Sequence, residues 1–312
     1  MRKIIIDCDP GHDDIIAILI ALAHQDELDI IGYTTVAGNQ TVEKVTNNLL
    51  KVLDYINVKA EVAIGADKPL RRPLDVQPLA HGESGMDGPI LPEAKQKALQ
   101  ISAVEYLKEK LLSSDEKITL VALGPLTNIA LLLRSYPEVI NKIEMITIMG
   151  GSVYSGNILP KAEFNIYHDP DAAKIVFNSK VNIIMSGLEV CYSGQVSHDK
   201  LEVFKDKDGV SWLVYELMLF FSRYSKERNL TTSPIFDMTP IIHLLRPEWF
   251  KSEYYHVDIE TEGELCRGMT VADFREPKDE TKINTEVLLS VDNEKFVDFF
   301  IDSILKLDKT NR

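Results

Sequence analysis

Short apolar runs alternate with amphipathic stretches along most of this chain. Ile4-Ile5-Ile6 is the first run, β-branched and apolar on both faces, as a buried strand of a parallel sheet requires. Pro10 and Gly11 break it, and residues 15–23 continue as an apolar helix. Residues 30–36 predict a second strand. Residues 41–56 predict a helix with apolar positions at Val42, Val45, Leu49, Leu50 and Leu53. The same order recurs, with strands expected at 62–64, 118–123, 143–149 and 181–185 and helices at 103–112, 129–134 and 169–178. Beyond residue 187 the alternation loosens. A long helix at 210–224 carries the aromatic stripe Tyr215, Phe220, Phe221 and Tyr224, and a shorter one covers 239–245. Strands at 255–259, 268–274 and 285–291 and a helix at 294–307 complete the chain.

A βαβ succession of this kind predicts one α/β domain over 1–312, with right-handed crossovers. Its centre is a mostly parallel sheet flanked by helices, open and Rossmann-like, with the active site at the carboxyl ends of the strands. Residues 66–92 stand apart, rich in Pro and Gly and without periodicity. A loop that long inside a compact domain is functional or disordered.

Charge narrows the partners. The 312 residues carry a net charge of −14, which argues against nucleic acid and anionic membranes. A neutral small molecule is not repelled. Cys8, Cys191 and Cys266 form neither a disulfide framework nor metal-ligand spacing. The apolar run at the N-terminus is interrupted at Asp7, too soon for a signal peptide or a membrane span, so the cytoplasm is the expected compartment.

The candidate chemistry sits on the first strand-to-helix turn, where Asp7, Asp9, Asp13 and Asp14 place four carboxylates within eight residues. Like charges this close repel, and a cation relieves them. An all-oxygen cluster suits calcium or magnesium better than zinc. A single aspartate there could simply cap the helix, but four point to a metal or catalytic site. Gly38 ends the second strand and brings Asn39 to the same rim as Asp9.

The octet Asp7-Cys8-Asp9-Pro10-Gly11-His12-Asp13-Asp14 resembles the N-terminal signature of the nucleoside hydrolases, which cleave the N-glycosidic bond of ribonucleosides using bound calcium. The resemblance implies that Asp9, Asp14, Asp237 and the Leu123 carbonyl hold calcium, with Asp9 the general base that activates water. It implies that Asp13, Asn39, Asn157, Glu163 and Asn165 line the ribose pocket. Amides and carboxylates there supply the donors and acceptors that a sugar diol needs. Residues 81–88 resemble the family's mobile loop, which brings His81 toward the base, and Tyr224 and Arg228 fall on the base side. The family commonly forms homodimers or homotetramers.

One departure is plain. Many members carry a histidine directly before the last calcium aspartate, where this chain has Phe236; His243, six residues on along a helix, cannot stand in for it. The metal and ribose half of the site is complete, and the leaving-group half is not. Two other classes remain open on the residues. Asp7-Cys8-Asp9 gives the paired aspartates of a magnesium-dependent phosphatase of the haloacid-dehalogenase type. Phe236 leaves room for a non-catalytic nucleoside- or ribose-binding protein.

Overall fold

The computed structural model describes residues 1–310, with the side chain of Tyr224 outside that description. The first six strands are β1 (Arg2–Cys8), β2 (Leu28–Thr35), β3 (Val62–Ile64), β4 (Ile118–Ala122), β5 (Ile143–Met149) and β6 (Ile183–Ser186). They are followed by β7 (Gln195–Ser197), β8 (Thr232–Pro234), β9 (Phe250–Tyr255), β10 (Val257–Ile259), β11 (Thr270–Ala272) and β12 (Thr285–Val291). The main sheet has eight strands in the order β3-β2-β1-β4-β5-β6-β12-β9, all parallel except the β12–β9 edge pair. The strand order reverses between β1 and β4, and this is where open α/β sheets bind their ligands. Single-domain α/β architecture with a mostly parallel sheet is thus what the alternating pattern specifies.

The helices are α1 (His12–Ala23), α2 (Val42–Tyr55), α3 (Pro78–His81), α4 (Ala103–Ser113), α5 (Thr127–Ser135), α6 (Phe164–His168) and α7 (Pro170–Phe177). After them come α8 (Leu188–Ser193), α9 (Gly209–Phe221), α10 (Arg223–Glu227), α11 (Met238–Leu245) and α12 (Asn293–Thr310). Alternation along β1 divides the core: Ile4, Ile6 and Cys8 pack with α1, α9, α11 and α12, while Ile5 packs on the other face with α4, α5 and α7. Every residue of α1 is buried, because the helix lies between the sheet and α9, α11 and α12. That explains why its sequence is apolar all round, and it holds the N-terminus of α1 rigidly at the switch point.

Several segments differ from expectation, among them α3, α8, β7 and β8, and three of the differences have a local cause. The long aromatic helix is two, α9 and α10, parted at buried Ser222, where Arg223 Nε donates to the Phe220 carbonyl. Strand β9 escapes the pattern because it is an edge strand with alternating exposed polar residues, Lys251 and Glu253 among them. The one-turn helix α6 exists because the Glu163 carboxylate accepts the N–H groups of Asn165 and Ile166.

Asp7 does not join the other three carboxylates. Its Oδ1 accepts from the Thr34 hydroxyl and from Asn128 Nδ2 at 2.7 Å, while Oδ2 is buried with no partner among the described residues. Burial raises its pKa to about 7. Asn128 Nδ2 also donates to the Thr35 carbonyl at 2.9 Å, and its Oδ1 accepts from Ala66 N at 2.8 Å. One side chain therefore ties β1, the end of β2 and the start of the long loop. Removing it in Asn128→Ala takes one of two hydrogen bonds from the buried Asp7 carboxyl and the Asn128 partner from two backbone groups, which is expected to cost about 3 kcal/mol. The urea midpoint reads this directly, and an unchanged midpoint would mean that the tie is dispensable.

Candidate active site

The amino end of α1 carries Asp13 and Asp14 to the carboxyl end of β1, and the sheet register brings β4 alongside. Leu123 N donates to the Asp7 carbonyl at 2.8 Å, so the chain leaves β4 beside Asp9. Asp9 is 1% exposed and its Oδ2 accepts from Asn39 N at 2.7 Å. Gly38 and Gly124 wall it in: a Cβ at either would fall 2.1 Å from Oδ2 or 2.5 Å from Oδ1. These two turns admit only glycine, and the Asp9 carboxylate fills the space that they leave.

Asp14 folds back over the start of its own helix, accepting from Asp9 N at 3.1 Å and Gly11 N at 3.0 Å. Asn39 Nδ2 reaches both the Asp9 carbonyl (3.1 Å) and Asp14 Oδ2 (3.3 Å), so Asn39 braces the acidic turn. From far along the chain, the start of α11 delivers Asp237. Asp13, Asp14 and Asp237 each present a carboxylate oxygen, all within 4.8 Å of one another. Asp13 Oδ1 is buried and has no hydrogen-bond partner among the described residues.

Electrostatics follow from that packing. Burial, then repulsion from the neighbouring carboxylates, raises Asp9 and Asp237 well above the usual range, and Asp13 to about 8. Asp14 is raised as well, chiefly by burial. Buried carboxylates that repel one another, one of them with an orphaned oxygen, fit a hard divalent cation.

Beside this cluster, Asn165 Nδ2 donates to the Leu123 carbonyl at 2.7 Å and to the Met149 carbonyl at 3.0 Å, linking the ends of β4 and β5. Glu163, 2% exposed, accepts from Gly151 N (2.9 Å), Asn165 N (2.9 Å) and Ile166 N (3.2 Å), and burial raises its pKa to about 7. Asn157 lies outside the buried group. It is on the loop before α6, where its Oδ1 accepts from Phe164 N at 3.0 Å.

On the other side, His81 at the end of α3 is buried, its Nδ1 3.2 Å from Nδ1 of His12. Phe236 is half-buried, its ring edge-on to Tyr192 at 5.9 Å. His243 packs edge-on to Phe250, and the neighbouring Leu244 carbonyl accepts from Arg2 at the amino end of β1. It is therefore at the opposite end of the sheet from Asp9. Arg228 is exposed in the turn after α10, outside the buried group. The side chain of Tyr224 lies outside the described residues. Pattern reading passed over His12 and Asn128, although both sit in turns it had singled out, within the acidic octet and after β4.

The switch-point location, the caged carboxylates and the adjoining amides define a class: an α/β protein with a buried acidic small-molecule site at the carboxyl ends of its strands. A family model described as inosine-uridine preferring nucleoside hydrolase matches residues 4–298. The chain belongs to that family and is a nucleoside N-ribohydrolase, hydrolysing ribonucleosides to ribose and free base. It is 45% identical over 305 residues to the pyrimidine-specific ribonucleoside hydrolase RihA of Shigella boydii serotype 4, covering 96% of this chain and 97% of that one. The RihA of Escherichia coli O81 is 44% identical over the same span. Among solved structures, the purine-preferring ribonucleoside hydrolase from Gardnerella vaginalis superposes with a TM-score of 0.92 at 26% identity, covering 99% and 100% of the two chains. A plant nucleoside hydrolase, PpNRh1, gives 0.89 at 29% identity, covering 97% and 98%. Family membership removes the phosphatase and the non-catalytic binding protein. The phosphatase reading also fails on geometry, since Asp7 is spent on Thr34 and Asn128.

Proposed function

We propose that this hydrolase is calcium-dependent and prefers pyrimidine ribonucleosides. The observation that carries the metal is the convergence of Asp13, Asp14 and Asp237 within 4.8 Å, with Asp13 Oδ1 buried and unpartnered among the described residues. The preference is supported by the RihA relatives, named pyrimidine-specific, at 44–45% identity, against 26% for the purine-preferring structure. Asp9, Asp14, Asp237 and the Leu123 carbonyl would hold the ion, with Asp13 next to them. When bound, calcium supplies a Lewis acid that orients the ribose diol and acidifies water. Asp9, held by Asn39 N and the two glycines, accepts the proton of the attacking water as general base. Asp13, Asn39, Glu163 and Asn165, with Asn157 from the rim, hold the sugar while oxocarbenium character develops. The family resemblance assigns the base side to His81, Phe236, Tyr224 and Arg228, of which Arg228 is exposed outside the buried group. The reading extends to a cytoplasmic homodimer or homotetramer, which light scattering on the purified protein checks.

Phe236 sets the substrate range. A base leaves as a poor anion unless it is protonated or its charge is stabilised, and a phenyl ring has no proton to give. Nitrophenyl riboside, whose leaving group needs no acid, is expected to turn over far faster than inosine. Phe236→His is expected to raise inosine turnover by about tenfold or more, toward the gain that general acid catalysis supplies, and nitrophenyl riboside turnover much less. The test is base release from uridine, cytidine, inosine and adenosine, with and without chelator. Pyrimidine release abolished by chelation and restored by calcium supports the reading. Purines cleaved as well as pyrimidines, or indifference to chelation, would remove it.

A further inference from the structure

His12 lies inside the acidic octet, but both its ring nitrogens face residues of the 81–87 loop. Its ring stacks on Phe220 at 5.0 Å and Phe221 at 5.6 Å, and its two nitrogens have different partners. Nε2 is 2.8 Å from the Asp87 carbonyl, and Nδ1 is 3.2 Å from Nδ1 of His81. With both rings neutral, these distances assign the protons. A carbonyl only accepts, so His12 Nε2 carries the hydrogen. A neutral His12 then has a lone pair at Nδ1, and the hydrogen in the contact with His81 belongs to His81 Nδ1. The aromatic enclosure and burial favour neutral rings on both sides.

We propose that His12 is a positioning residue, which fixes His81 as the Nδ1–H tautomer with a lone pair at Nε2. The same ring ties that tautomer to the loop. Asp87 N donates to the His81 carbonyl at 3.1 Å, and the Asp87 carboxylate accepts from Glu83 N at 3.1 Å and Ser84 N at 3.0 Å. The turn 81–87 is thus closed on itself and pinned to α1 through His12. Opening the loop breaks the Asp87–His12 bond, which frees His12 to change tautomer and His81 with it.

The consequence for catalysis rests on the proposed placement of His81 beside the base. In this tautomer neutral His81 accepts a hydrogen bond at Nε2 and delivers a proton only as imidazolium. It therefore suits a base edge that presents an N–H group, and is no ready acid for a purine leaving group.

Long-range proton–nitrogen correlation spectra of histidine-labelled protein read the tautomers directly, with signals assigned by their loss in His81→Gln and His12→Asn. The expected native pattern is a proton on His81 Nδ1 and on His12 Nε2. A proton on His81 Nε2 in the native protein would overturn the proposal, and this reading requires no substitution at His12. In His12→Asn the side-chain oxygen still accepts from His81, so the tautomer persists. In His12→Phe, which keeps the aromatic stack, His81 is expected to move to Nε2–H; retention of Nδ1–H there would overturn the positioning role. Kinetics test the catalytic consequence separately. His12→Phe is expected to raise the KM for uridine about tenfold, as the acceptor toward the base N–H is lost, with nitrophenyl riboside changed by about twofold at most. Equal rises on both substrates, with the native tautomer as expected, would take His81 away from the base without touching the assignment.

Discussion

Asp9→Asn is expected to lower kcat by about 10²–10⁴-fold, the range for loss of an essential acid–base group. The reason lies in how tightly Asp9 is held. Asn39 N fixes one carboxylate oxygen at 2.7 Å, and Gly38 and Gly124 leave no room for a larger group. An amide of the same shape keeps the fold and can keep its oxygen toward Asn39, but it cannot take a proton from water. The substitution also removes one negative charge from a buried cluster. Without added cation, the Asp9→Asn protein should therefore melt at a higher temperature than the native chain at pH 8. Turnover and melting together make the experiment decisive. Turnover near native would place the base elsewhere, and a lower melting temperature would contradict the repulsion that burial imposes on Asp9, Asp14 and Asp237.

Cation removal should produce a stability loss that grows with pH. Asp13 has its folded pKa raised to about 8 by burial and by Asp14, from an ordinary value of 3.8. A carboxyl with a raised folded pKa binds its proton more tightly when folded. Its contribution to stability is fully present below about pH 4 and is lost as pH rises through about 8. Asp9, Asp14 and Asp237 shift in the same direction. Chelated protein should thus be more stable near pH 5 than near pH 8. Calcium reverses the loss, because it replaces the protons as the compensating charge. At a thousandfold excess over Kd, binding adds about 4 kcal/mol. Thermal unfolding in chelator and in calcium at the two pH values gives the comparison. A calcium-induced shift that is equal at pH 5 and pH 8, or absent at both, would rule out these carboxylates as the ion's ligands.

Much of this protein was legible in one dimension because its determinants are local. Ile4-Ile5-Ile6 followed by Pro10, Gly11 and an all-apolar helix can only be a buried strand turning into a buried helix, and β1 and α1 are both. The parallel sheet follows from the repeated alternation, and the acidic turn at its switch point follows from where Asp9, Asp13 and Asp14 stand relative to Pro10 and Gly11. Where periodicity was weak the reading failed for an equally local reason. Strand β9 is half solvated, and α6 owes its one turn to the Glu163 side chain rather than to any repeat.

Which atoms converge was decided only in three dimensions. Asp7 stands two residues before Asp9, yet the β1–β2–β4 register turns it to Thr34 and Asn128. Asp237 comes from far along the chain to within 4.8 Å of Asp13 and Asp14, a proximity that no spacing rule contains. Asn157 and Asn165 look alike as residues, but one caps Phe164 N on the rim and the other bridges Leu123 and Met149. His12 looks like one more polar residue of the octet until the 81–87 loop folds over it and supplies a partner for each nitrogen. The physical reason is the same in each case. Hydrophobic period and turn chemistry act between near neighbours in sequence, and so specify elements. Hydrogen bonds and charge repulsion act between near neighbours in space, and these exist only once strand order and helix packing have chosen them.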